Sequence, residues 1–117
     1  MSHLNMECKI IYLYLLYIDR EKNLHIPLLV ENNYGETIIV DDVYNSLSVN
    51  GFMVNGWLYS MEIPRGGMAA MDLELAASSL EEMQLNDPEN IENIEFKLRI
   101  ETARKKIGDA EIKITYK

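Results

Sequence analysis

Towards the end of the chain, apolar and charged positions alternate strictly. Ile94, Phe96, Leu98 and Ile100 are interleaved with Glu95, Lys97, Arg99 and Glu101, and Ala110, Ile112, Ile114 and Tyr116 with Glu111, Lys113, Thr115 and Lys117. A period of two places one strand face on a core and the other in water. The two segments predict an antiparallel hairpin, with the stretch from Thr102 to Asp109 as its loop and Gly108-Asp109 as the turn signal. Earlier in the chain, Leu24, Ile26, Leu28 and Val30 share one face of another strand. Pro27 lies inside it and cannot donate to a ladder, which predicts an edge or bulge position there. Lys9 to Asp19 is apolar with little alternation, as expected of a strand covered on both faces.

Turn signals divide the rest into short pieces. Asp19 to Asn23, Asn32 to Gly35 and Ile63 to Gly67 are polar or glycine-rich breaks, and Asn50-Gly51 and Asn55-Gly56 are hairpin-type dipeptides. Thr37 to Val40, Ser48-Val49, Phe52 to Val54 and Trp57 to Tyr59 read as short strands between them. Strands this short and this regularly spaced predict a sandwich or barrel. Met68 to Leu85 is ambiguous. Its strong helix formers suit one long helix, whereas the alternation of Met71, Leu73 and Leu75 with Asp72 and Glu74 suits a strand. A capping pattern at Ser78 or Ser79, with Glu81 or Glu82 three positions on, would start a short helix after that strand.

Composition narrows the class. The chain has 117 residues, 48% of them hydrophobic, enough for one domain with its own core. The longest apolar run, Ile10 to Ile18, falls well short of the roughly 20 residues of a membrane-spanning helix. A net charge of −8 is spread unevenly: residues 1–96 carry sixteen acids and four bases, and residues 97–117 carry seven bases and three acids. An acidic surface repels phosphate backbones, so nucleic acid is not expected as a partner. Arg104, Lys105 and Lys106 read as a solvated hairpin loop.

Little in the sequence suggests chemistry. His3 lies near the terminus, and His25 points opposite to Leu24 and Ile26, towards solvent. Neither histidine nor the single cysteine, Cys8, has metal-ligand spacing or an activating neighbour, so no catalytic, cofactor-binding or metal-ligating residue is assigned. Asp41-Asp42 and the group Asp87, Glu89, Glu92 and Glu95 lack a calcium-loop array and read as solvated acids. Gly66-Gly67 is a turn, not a phosphate loop. The seven methionines read as core filler. The aromatic residues stand out more. Tyr12 and Tyr14 in one strand, with Trp57 and Tyr59 in another, are the candidates for an outward stripe that meets a partner or a sugar.

Several segments together resemble a module recurrent in secreted or membrane-anchored Firmicutes proteins of unknown function. They are Glu31-Asn32-Asn33, Thr37 to Val40, Ser48 to Val54, the turn at Pro64 to Gly67, Ser79-Leu80-Glu81-Glu82, and Ile94 to Ile100. The resemblance implies an immunoglobulin-like fold and, for Met68 to Met83, a strand followed by a helical turn. The expectation is an all-β, two-sheet antiparallel sandwich of seven or eight strands over residues 9–117, with one short helix near 78–83. Residues 1–8 are expected to be disordered or foreign to the native chain. The implied function is a non-catalytic binding or spacer module of a bacterial cell-envelope protein, its partner a protein or an adjacent module of a longer chain. Such a module would be extracellular and would reach a membrane only through a segment outside this sequence. If Met1 is the native start, the alternative is a small acidic cytoplasmic inhibitor or immunity-type protein that masks a basic partner.

Overall fold

The computed structural model describes residues 2–4, 8–12, 16–85 and 87–116, with the side chains of 2–4 and 8–12 outside the description. Two antiparallel sheets face each other. Sheet A contains β1 (Ser2–Leu4), β2 (Cys8–Tyr12), β3 (Tyr17–Ile18) and β4 (Leu24–Asn32), with β8 (Gly56–Leu58) and β10 (Met68–Leu75). Sheet B contains β5 (Ile38–Asp42), β6 (Ser48–Val49), β7 (Phe52–Met53) and β9 (Met61–Ile63), with β11 (Asn93–Glu101) and β12 (Lys106–Thr115). Between β10 and β11 lie a helix, α1 (Ala77–Glu82), and a single 3-10 turn at Pro88–Asn90.

Sheet A runs β1-β2-β4-β10-β8, with β3 also on β4, and sheet B runs β7-β6-β11-β5-β9, with β12 on β11. Several of these segments are pieces of one lane. β2 pairs Leu28 to Asn32 and β3 pairs Leu24 and His25. Likewise β5 pairs Leu98 to Glu101 and β6 pairs Ile94 and Glu95. Counted as lanes, β2/β3, β4, β10 and β8 take the places of strands A, B, E and D of an immunoglobulin domain, and β5/β6, β11 and β12 take those of C, F and G. The fold is therefore an all-β immunoglobulin-like sandwich with one short helix, as expected.

The alternating segments supply the core. Leu24, Ile26, Leu28 and Val30 of β4 and Met71, Leu73 and Leu75 of β10 face Ile94, Phe96, Leu98 and Ile100 of β11 and Ala110, Ile112 and Ile114 of β12. Burying apolar area on this scale, at about 25 cal/mol per Å², is what offsets chain entropy.

Local chemistry settles the boundaries, not always as the sequence suggests. Asn50 and Gly51 have φ values of 51° and 85° and close the tight β6–β7 hairpin as expected. Gly56, by contrast, makes no turn. It sits in β8, where a Cβ would lie 2.4 Å from Leu47 Cδ2 and 2.7 Å from the Glu74 carbonyl oxygen, so the close approach of strands demands glycine. The β11–β12 turn is built by Thr102, whose Oγ1 accepts from the N–H groups of Arg104 and Lys105, and Gly108-Asp109 lies inside β12. Pro27 is in a central strand, where it and Ile26 fall between the β2 and β3 pairings, so the ladder on that side is already interrupted. The 68–85 stretch is a strand and then a helix. The helix has no side-chain N-cap; the N–H of Ala77 donates instead to Asn23 Oδ1, across from another turn. Ser2–Leu4 pairs with Lys9 to Ile11, so sheet A extends into the segment expected to be disordered, through main-chain pairing that three residues of sequence do not reveal.

Candidate functional site

The outer face of sheet A carries the most concentrated chemistry. In antiparallel pairs, residues directly opposite share a face. Tyr17 is opposite His25, His25 opposite Glu74, and Glu74 opposite Trp57, so a single row crosses β3, β4, β10 and β8. Pro27 and Asp72 form the next pair along. The alternation that sends Met71, Leu73 and Leu75 into the core necessarily sends Asp72 and Glu74 outwards.

His25 is the centre of this row. It does point away from Leu24 and Ile26, but it is only 7% exposed, which corrects the expectation of a solvent-facing side chain. Its ring is sheathed. Tyr17 stacks on it with centroids 4.6 Å apart and planes 3° from parallel. Nδ1 lies 2.6 Å from Asp72 Oδ2, and Nε2 lies 2.6 Å from Asp19 Oδ2 and 3.4 Å from Glu74 Oε1. Asp19 comes from the β3–β4 turn, where its other oxygen, Oδ1, accepts from the N–H of Asn23. That turn needs the positive φ of Lys22, 70°, and the Lys22 N–H bonds the Asp19 carbonyl.

Electrostatics follow from this geometry. Burial alone would depress the imidazole pKa, but the hydrogen bonds to Asp19 and Asp72 and the charges of Asp72 and Glu74 outweigh it, and the net shift is upward. The bond from His25 pulls the Asp19 carboxyl below its ordinary value against an opposing desolvation. Tyr17 is raised by desolvation and by the carboxylates of Asp72, Asp19 and Glu74. With a carboxylate on each ring nitrogen, the imidazolium is the form this cluster favours.

Trp57 and Tyr59 lie beside the cluster. Trp57 is half-buried and Tyr59 is 80% exposed, and together with Met61, Ala70 and Asp72 they line one shallow depression. Of the other two aromatic candidates, Tyr12 is in β2 with its backbone opposite Leu28 and its side chain outside the description, and Tyr14 lies outside the described residues. Among the described residues methionine is not mainly core filler: Met71 is buried and Met83 packs against the core, but Met53, Met61 and Met68 are exposed.

The remaining candidates do not converge. Asp87 caps the 3-10 turn through the Glu89 N–H, and Glu95 pairs with Lys113 at 3.1 Å. Asp42, its carboxyl pushed up by burial and by Asp41, accepts from the Leu58 N–H across a cleft under the Val43–Leu47 excursion. Ser46 in that excursion donates to the Val43 carbonyl and accepts from the Lys97 N–H, at the gap between the β5 and β6 pairings of β11. These are structural tasks. Among the described residues, the ligand-type side chains that do come together are Asp19, His25 and Glu74.

No family model matches the chain, and no curated protein matches it. Several solved structures are similar in shape, two of which follow. One is a protein from Archaeoglobus fulgidus, 18% identical, with 100% of this chain and 98% of that chain covered at a TM-score of 0.48. The other is the GAE domain of yeast GGA1, 12% identical, with 100% and 99% covered at a TM-score of 0.47. The fold assignment above stands on the strand order and not on these likenesses. Among the described residues no helix is long and apolar enough to cross a membrane.

Proposed function

We propose that this chain is a non-catalytic binding module of a bacterial cell-envelope protein and that the outer face of sheet A is its binding face. The observation that carries this reading is the row Tyr17–His25–Glu74–Trp57, which runs into the depression under Tyr59 and Met61. Exposed aromatics on a rigid sheet give contact area at low entropic cost. The three carboxylates around one histidine make the face acidic, and charge complementarity favours a cationic partner segment that also carries apolar side chains. A non-catalytic role fits the cluster itself, because both imidazole nitrogens are engaged by carboxylates and neither is free to take a proton from a nucleophile. The placement in the envelope rests on the resemblance of the Glu31 to Ile100 segments to secreted modules.

Trp57 is the only tryptophan, so its fluorescence reports on this face alone. A lysine- and arginine-rich peptide carrying leucine should shift its emission saturably, and more weakly at roughly 0.5 M than at 0.05 M salt. Tyr59→Ala and Glu74→Gln should each weaken the response. Unchanged emission, or binding indifferent to both substitutions, refutes the assignment. The acidic face also suits a small inhibitor of a basic protein, and tight rather than weak association with one folded basic partner would favour that alternative.

A further inference from the structure

We propose that Asp19, His25 and Glu74 form a binding site for a divalent metal ion of the zinc class, with Asp72 as the positioning residue that holds the imidazole. The site does not depend on the peptide-binding reading, and its test uses no peptide.

Three separate elements bring the ligands together: the β3–β4 turn, β4 and β10. Their donor atoms all lie within 4.8 Å of one another. A tetrahedral zinc ion with bonds of about 2.0–2.2 Å separates its ligand atoms by about 3.3–3.6 Å. The distance from His25 Nε2 to Glu74 Oε1, 3.4 Å, already has that value. The 2.6 Å from Nε2 to Asp19 Oδ2 must open by less than about 1 Å, which a carboxylate rotation supplies while Oδ1 remains on the Asn23 N–H.

The second observation is on the other side of the ring. Nδ1 lies 2.6 Å from Asp72 Oδ2, a carboxylate with no place in the ligand set. A metal-bound histidine characteristically donates its remaining N–H to such a group, which fixes the tautomer and aims the free lone pair at the metal. Tyr17, stacked on the same ring, blocks its rotation. A patch of surface acids has neither feature. His25 is also nine-tenths buried, so the imidazole is held in place before any ion arrives. The nitrogen donor sets the metal class: calcium and magnesium prefer oxygen throughout, whereas imidazole with carboxylates suits zinc and its neighbours. On binding, the Nε2–H proton leaves to solvent and the metal takes its place. Three protein ligands leave a further position open on the acidic face, where the Asp19 and Glu74 side chains are 23% and 22% exposed.

The test is isothermal titration of the whole chain with zinc chloride, with calcium chloride in parallel. The expected result is saturable zinc binding at a single site that calcium does not compete for. Glu74→Gln should weaken it at least tenfold and His25→Gln should abolish it. Asp72→Asn, which replaces no ligand, should weaken it by about 10–100-fold with an unchanged circular dichroism spectrum. The chain's other soft donors provide the control, and the double variant His3→Gln/Cys8→Ser should bind as the parent does. If His25→Gln fails to fold, Glu74→Gln and the shift of the His25 ring ¹⁵N signals on zinc addition decide. Absence of saturable zinc binding, equal competition by calcium, loss of binding in the His3/Cys8 variant, or binding unchanged by Glu74→Gln each overturns the site. Binding unchanged by Asp72→Asn removes its positioning role.

Discussion

Replacing Asn32 by alanine should be among the most damaging single changes in this chain. The side chain is fully buried at the end of β4. Its Nδ2 donates to the carbonyls of Glu36 and Ile63 at 2.9 Å each, and its Oδ1 accepts from the Tyr34 N–H at 2.8 Å. Its own backbone bonds Gly66 and Gly67. One residue thus ties together the exit of β4, the approach to β5 and the end of β9 through its side chain, and the turn before β10 through its main chain. Alanine removes the side-chain partner of three main-chain groups. The Ile63 carbonyl is dry, so it bears a desolvation penalty near the upper part of the 1–3 kcal/mol range. The Glu36 and Tyr34 groups are partly reachable by water and sit near the lower end. The total is about 4–5 kcal/mol. At about 2.1 cal/mol/K of unfolding entropy per residue, that lowers the melting temperature by roughly 16–20 °C. Thermal unfolding followed by circular dichroism, with urea titration to confirm an unchanged slope, measures it. Asn33→Ala, on the exposed neighbour, should change stability by no more than about 0.5 kcal/mol. Asn32→Asp keeps the acceptor but turns a carboxylate towards two carbonyls, and should be at least as damaging as alanine. A loss below about 1 kcal/mol for Asn32→Ala would show that water or local rearrangement satisfies these groups, and would refute the reasoning.

Three further outcomes are expected. The imidazole of His25 titrates above its ordinary 6.5 in the folded state, so its contribution is complete below that pH and fades as pH rises through the raised value. The Asp19 carboxyl titrates below 3.8, so its contribution is lost only as pH falls through the lowered value. The melting-temperature difference between the wild type and His25→Gln should therefore be greatest in mildly acidic buffer and shrink in alkaline buffer; a difference independent of pH contradicts the assignment. Gly56→Ala must move either Leu47 or the backbone at Glu74, and should destabilise by about 1–3 kcal/mol in chemical denaturation while altering Trp57 emission. Leu80→Ala removes the fully buried anchor of α1 and should cost about 2–5 kcal/mol by the same measurement.

The strands that could be read from sequence are those whose pattern is local. β4, β11 and β12 alternate cleanly, and the Asn50-Gly51 turn carries its own backbone preference. The 68–85 stretch could not be settled by propensity, because Ala, Met, Leu and Glu favour helix while the sheet takes Met68 to Leu75 by pairing with both β4 and β8. The His25 cluster is not legible from sequence spacing. Asp72 is 47 residues away in sequence and reaches the ring only because β10 lies beside β4, a neighbour relation that no spacing motif encodes. One signal was present. The outward positions of β10 are acidic just where they fall opposite the histidine, but using it requires knowing which strand pairs with which. Asn32 shows a similar limit: its bonds to Tyr34 and Glu36 are local, while the Ile63 carbonyl it also serves lies 31 residues away on β9.

The last strand has a consequence for how copies of this protein meet. Among the described residues β12 pairs only with β11, so ten residues of main chain lie along an open border of sheet B. Such a border invites a second chain to add itself, and then a third. Here its solvent-facing positions include Lys106, Asp109, Glu111 and Lys113, several already committed to partners on their own sheet: Lys106 with Asp109, Glu111 with Lys97, and Lys113 with Glu95. A newcomer strand would have to bring charges that fit this fixed sequence of signs. The same alternation that sends Ala110, Ile112 and Ile114 inwards thus leaves a border strand whose outward side chains alternate in sign, a feature that works against unselective strand addition.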